Sequence, residues 1–135
     1  MIYHTTQKER KMNGYSVSIK ESSRELTAKQ RIALKDMTNA VKLDEATQVE
    51  PVIINVDMYA VLDIHNEKSE NPDYENYIVV DKDGTKYVTG SSSFWSSFID
   101  IFTEMEGEDE AWALKVYRVP SKNYKGKDFI TCSIE

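Results

Sequence analysis

The stretch "VIINVDMYAVLDI", residues 52–64, constrains the fold more than any other part of the chain. Val52, Ile54, Val56, Met58, Ala60, Leu62 and Ile64 fill every even position, while Asn55, Asp57, Tyr59 and Asp63 fall among the odd ones. Side chains alternate along a strand but recur every 3.6 residues on a helix. Period two sustained over thirteen residues therefore demands extended backbone. Most strands run about 3–10 residues. One this long is expected to bend and to serve two parts of a curled sheet.

The segments that follow fill in an order. "NEKSENPDYEN" is a polar loop. "YIVVDKDGTKYVTG" predicts a hairpin, with Asp81 to Thr85 in a type I turn and Gly84 in the left-handed region as a bulge. That turn sets Ile78 opposite Val88 and Val79 opposite Tyr87. Ile78, Val80 and Val88 then share one face, and Tyr77, Val79 and Tyr87 the other. In "GSSSFWSSFIDIFTEM" a serine after Gly90 supplies an N-cap, and Phe94, Phe98, Ile101 and Met105 recur at helical spacing, flanked by Trp95, Ile99 and Phe102. Such a stripe is a core face more often than a partner surface. "WALKVYRV" predicts a strand with Trp112, Leu114 and Val116 on one side. "DFITCSI" predicts a last strand with Ile130, Cys132 and Ile134 inward.

From residue 52 the order is therefore strand, strand, strand, helix, strand, strand. That is the order of an OB-fold, a five-stranded, partly open barrel with its helix between strands 3 and 4. An open α+β sheet with one packed helix reads similarly. Upstream, "YSVSIK" alternates as a strand would. "LTAKQRIALKDMTNAV" fits a helix opened by a Thr27–Gln30 capping box, with Ala33, Met37, Ala40 and Val41 along one side, although "RIAL" also suits extended backbone. At 135 residues the chain reads as a single mainly β domain, with residues 1–13 flexible and 14–45 an N-terminal extension packed on the barrel.

Catalytic signatures are weak. His4 and His65 are the only histidines, and no Cys/His cluster has metal-ligand spacing. Ser91–Ser93 lack the setting of a nucleophile elbow and read as a helix cap. "DKDG" lacks the chelating positions of a calcium loop, and no glycine-rich phosphate loop is present. The expectation is a non-enzyme with no cofactor and no metal. Cys132 is the single cysteine, so no internal disulfide can form, and no apolar run reaches the roughly 18 residues of a membrane span. The start lacks the apolar stretch of a signal peptide, which points to a cytoplasmic protein without a membrane partner.

The net charge is -6, but it is segregated. Residues 1–42 hold nine Lys/Arg against four Asp/Glu, residues 43–110 three against seventeen, and residues 111–135 five against two. At cellular salt a charge reaches about 8–10 Å, so local sign matters more than the total. The C-terminal stretch "ALKVYRVPSKNYKGKDFITC" interleaves its bases with aromatic rings. With Leu114 and Val116 inward, Lys115 and Tyr117 point outward; with Ile130 and Cys132 inward, Phe129 and Thr131 point outward. Outward rings beside outward cations suit single-stranded nucleic acid, because bases stack on the rings while cations follow the phosphates. The candidate binding residues are Lys86, Lys115, Arg118, Lys122, Lys125 and Lys127 for charge, and Tyr77, Tyr87, Tyr117, Tyr124 and Phe129 for stacking. Tyr59 is a further outward candidate. The plain alternatives are a solvated basic loop and tyrosines that pack against a flanking segment.

"VIINVDMYAVLDI", "YIVVDKDGTKYVTGSSSF" and "WALKVYRVPSKNYKGKDFITCSI" together resemble the small single-stranded DNA-binding proteins of tailed phages of Gram-positive bacteria, in particular those of protein-primed Bacillus phage replication. The resemblance spans roughly residues 50–134 and leaves residues 1–45 unmatched. It rests on the order of elements, the D-G hairpin leading into a serine-rich helix start, and the closing Ser/Lys/Gly loop. It implies an OB-fold that coats single-stranded DNA during phage DNA replication or recombination. The competing expectation is a protein-interaction module, for instance a phage inhibitor of a host factor, that presents the acidic segment 43–110 to replication or host proteins.

Overall fold

The thirteen-residue run does not form one strand. In the computed structural model, which describes residues 3–4, 14–122 and 126–135, it divides at Asn55 into β4 (Val52–Ile54) and β5 (Val56–Asn66). The break is stabilised from outside the ladder: the Asn55 N–H donates to Asp81 Oδ2 at 2.9 Å, and the Asn55 carbonyl accepts from Lys82 N at 2.9 Å. The two halves enter different sheets. β5 lies in a six-stranded sheet with β1 (Tyr3–His4), β2 (Tyr15–Ser22), β3 (Val41–Lys42), β6 (Asp73–Asp81) and β7 (Lys86–Thr89), in the order β1-β2-β5-β6-β7-β3. β4 joins β8 (Leu114–Pro120) and β9 (Asp128–Ile134) in a second sheet ordered β4-β8-β9. The expected bend of the long strand is thus present, and it is what couples the two sheets.

A bulge follows the break. Val56 pairs with Asp81 and Met58 with Val80, so Asp57 is an extra residue on β5. One extra residue reverses the side on which every later side chain falls. Ile54 and Val56 therefore face one core, while Met58, Ala60, Leu62 and Ile64 face another. Tyr59, suggested above as an outward ring, enters the first core and is 1% exposed. Each face of the six-stranded sheet therefore carries a core, while Lys20 and Asp63 stay exposed beyond it.

The first core lies under α3 (Ser92–Met105), whose Ser91 N-cap accepts from the Phe94 N–H as expected. Phe94 and Phe98 are fully buried between the sheets. Tyr59 meets Trp95, Phe98 and Phe102 edge-on, with ring centroids 5.2, 5.7 and 5.0 Å away. Edge-to-face contact of this kind sets the positive rim of one ring against the negative face of another. The second core is closed by α1 (Ala28–Lys35), which starts at the predicted Thr27–Gln30 capping box. The helix stops at Lys35, short of Val41, because Asp36 Oδ1 accepts from the Thr38 N–H in a tight turn. Leu34 is its buried residue, and Met37 and Ala40 reach the core from the turn beyond. A short α2 (Leu43–Ala46) follows β3.

The predicted hairpin register holds: Ile78 pairs with Val88 and Val79 with Tyr87, and Gly84 has φ 93°. The fold is mainly β, as expected, but its strands form two sheets that do not close into a barrel. β7 gives its far edge to β3 in parallel pairing, and β9 is the last strand of its sheet. The α3 helix stands where those two strands would otherwise meet, and Ser93 Oγ donates to the Ile130 carbonyl at 3.0 Å in place of a strand partner. Ile134, expected inward, is 47% exposed at the strand end. Residues 14–45 contribute β2, α1, β3 and α2 to this architecture. The expected flexibility of residues 1–13 falls largely outside the described residues; within them, Tyr3 and His4 pair with Ser22 and Glu21. No helix among the described residues is long and apolar enough to cross a membrane.

Burial carries a pH signature. Desolvation pushes the Cys132 thiol from 9.0 up to about 12 and the Tyr59 phenol from 10.0 up to about 12. Both groups are neutral when protonated, so the folded state holds these protons more tightly than the unfolded chain does. Their contribution to stability is complete below about pH 9 and disappears as pH rises toward 12. Urea midpoints should therefore fall steadily from pH 9 upward. At pH 8 the Cys132 thiol should react with a disulfide reagent only after denaturant is added. A constant midpoint up to pH 11, or immediate labelling of the native chain, would contradict this account of the core.

Candidate nucleic-acid interface

The three-stranded sheet has one face on the first core and one face open. Register defines the open face. Ile53, Lys115 and Ser133 form one row across β4, β8 and β9; Tyr117 and Thr131 form the next; Val119 and Phe129 form the third. Their alternate neighbours Leu114, Val116 and Ile130 are buried in the core. Phe129 is 40% exposed and Ile53 44% exposed, and the Lys115 ammonium lies 5.9 Å from the Tyr117 ring centroid. None of these row positions is acidic. Lys115, Tyr117 and Phe129 thus occupy one continuous face, as the alternation required.

The β8–β9 connection rises from the end of this face. It is closed at its base by the Ser121 N–H donating to the Lys127 carbonyl at 3.0 Å. Gly126, at φ 77°, takes the left-handed turn into β9. Lys122 and Lys127 are exposed. Tyr124 and Lys125 lie outside the described residues.

Four other candidates stand elsewhere. Tyr77 and Tyr87 leave β6 and β7 on the α3 side, not into solvent. Tyr77 stacks on Trp95 with centroids 4.6 Å apart and planes 7° from parallel, and Tyr87 packs at the margin of the first core. Burial raises both phenols above their ordinary value. Lys86 is on the opposite side of the six-stranded sheet, where its ammonium donates to the Ala33 and Asp36 carbonyls and closes the C-terminal end of α1. Arg118 follows the parity of Leu114 and Val116, so it points inward. It pairs with Asp128 at 2.6 Å and donates to the Asp44 carbonyl, joining β8, β9 and α2. Alternation tells which residues share a side, but the second sheet and α1 decide whether that side is open.

Ile53 and Val119 are members of the open face that the sequence reading passed over. Both carried a signal. Ile53 is the out-of-phase apolar residue between Val52 and Ile54, and Val119 continues the parity of Lys115 and Tyr117. An open row of rings and aliphatic side chains beside an ammonium can hold flat, apolar, anionic chains: faces stack on the rings, and the cation meets the charge. Elsewhere, His65 Nδ1 lies 2.7 Å from Asp73 Oδ1 at the end of β5. Among the described residues no group of three or more His, Cys, Asp or Glu side chains is placed to hold a metal ion.

Compared with protein-family models, curated proteins and solved structures, the chain matches none of them significantly.

Proposed function

We propose that the chain binds single-stranded DNA without sequence preference, on the open face of β4-β8-β9 and the β8–β9 connection, in the manner of an OB-fold protein that coats DNA during phage replication or recombination. The observation that carries this reading is the cross-strand register that gathers Lys115, Tyr117 and Phe129 on one uncovered face. The strand order from residue 52 supports it. β4 and β5 act as one bent first strand shared by two sheets, β6 and β7 form the hairpin, α3 intervenes, and β8 and β9 close the series. Read as an OB-fold, this is one left open between its third and fifth strands. That fold holds oligonucleotides on the face of its second and third strands and on the loops between strands 1–2 and 4–5; the β8–β9 connection, with Lys122 and Lys127, corresponds to the last of these.

Fluorescence titration of a labelled oligo(dT) tests the reading. With Lys115, Lys122, Lys125 and Lys127 as the cations, about three to four phosphate contacts give a slope of roughly -2 to -3 in log affinity against log salt, at about 0.7 per contact for single strands. Binding should be comparable on oligo(dT) and mixed sequences. An affinity that is absent at low salt, or that does not change with salt, overturns the proposal.

A further inference from the structure

Among the described residues β8 is the one strand partner of β9, and α3 lies against the first half of its other side. There Ser93 Oγ holds the Ile130 carbonyl, and the Ser97 and Thr131 hydroxyls lie 3.2 Å apart. The Ser93 bond also fixes the phase of the edge. In antiparallel pairing a residue sends both backbone groups to the same side, and successive residues alternate. Ile130, Cys132 and Ile134 therefore turn their backbone groups away from β8. The Glu135 N–H, which donates to the Ala113 carbonyl at 2.8 Å, confirms that the odd positions face β8. Beyond Thr131 a groove opens between α3 and β9. Ile101, Met105 and Ile134 give it apolar lining, Cys132 closes its floor with its thiol turned into the core toward the Phe94 carbonyl, and Asp100 and Glu104 stand along its helical wall. No lysine or arginine lines it among the described residues.

We propose that this groove takes a short extended segment of a partner protein, apolar at alternate positions with Lys or Arg between them, which adds as a further strand beside Cys132 and Ile134. Three features of the groove each select part of that occupant. The open edge offers backbone hydrogen bonds to an extended chain. The apolar floor takes every second side chain. The Asp100 and Glu104 wall favours cations and repels nucleic acid. A second copy of this chain is disfavoured by the same charge, because two-fold pairing about β9 brings two acidic walls together.

Fluorescence anisotropy with a labelled peptide of about six residues, alternating valine and lysine, tests the proposal, with a glutamate-for-lysine peptide as control. The lysine peptide should bind saturably at low salt. The Asp100→Lys, Glu104→Lys double variant should weaken it roughly tenfold or more, and the glutamate peptide should bind the native chain at least that much more weakly. Asp100 and Glu104 are exposed, so this variant should keep the native melting temperature. Ile101→Asp should weaken the peptide as well. In amide NMR spectra Cys132 and Ile134 should be among the most shifted residues on titration. Equal binding by the charge-reversed variant, or shifts confined to other strands, overturns the proposal. So does self-association of the peptide-free chain that the same variant abolishes, because it gives the groove to a second copy.

Discussion

Phe98→Ala should lower the free energy of unfolding by about 3–5 kcal/mol, the usual cost of emptying a fully packed aromatic site. Phe98 has no exposed surface and lies between the two sheets. Its ring meets Tyr59 at 5.7 Å, Trp95 at 5.1 Å, Phe94 at 5.8 Å and Phe102 at 5.8 Å. Removing it leaves a cavity that these rings cannot fill, since each is held by others: Trp95 by Tyr77, and Phe102 by Tyr59 and Trp112. Against a total of about 5–15 kcal/mol for an ordinary domain, the loss is large enough to unfold a substantial fraction of the chain at 37 °C. Chemical denaturation reads it directly. A loss below 1 kcal/mol would mean that the two sheets do not depend on α3 as their common filling.

The Tyr117→Ala, Phe129→Ala double variant should weaken oligo(dT) binding roughly 30-fold or more, with little change in stability. Each ring stacked on a base contributes about 1–3 kcal/mol, so two rings give at least about 2 kcal/mol. Both side chains stand on the uncovered face of β8 and β9, outside either core. Tyr77→Ala is the matched control. It removes a ring stacked on Trp95, so it should reduce stability and leave affinity per folded molecule unchanged. The pattern separates a DNA-contacting ring from a packing ring, which a loss of binding alone does not. If the double variant binds as the native chain does, the open face of β4-β8-β9 is not the DNA site.

The Arg118 position shows why the site was only half legible. Its sequence neighbours are Tyr117 and a basic loop, so composition groups it with the binding cations. Strand parity places it with Leu114 and Val116 instead, and there it serves Asp128 and the Asp44 carbonyl. Lys86 repeats the lesson at longer range, because the carbonyls it caps belong to a helix some fifty residues earlier. Lys115, Tyr117 and Phe129 fall on one side, as the sequence implies, because both strands alternate cleanly there.

By itself the sequence determined what interactions between near neighbours decide. These are the Thr27–Gln30 box, the Ser91 cap, the Gly84 turn with its Ile78–Val88 register, and the Phe94–Phe98 helix face. Each depends on residues within a turn or two of one another, so local geometry is enough. Tertiary structure alone decided which faces were covered. The Asp57 bulge carried an unbroken even-numbered pattern from one core into another, α1 and α3 took the two sides of the large sheet, and β7 and β9 stayed apart. Periodicity states that a strand has two sides. Which of them meets water depends on elements that are distant in the chain, and their burial energy is shared across both cores.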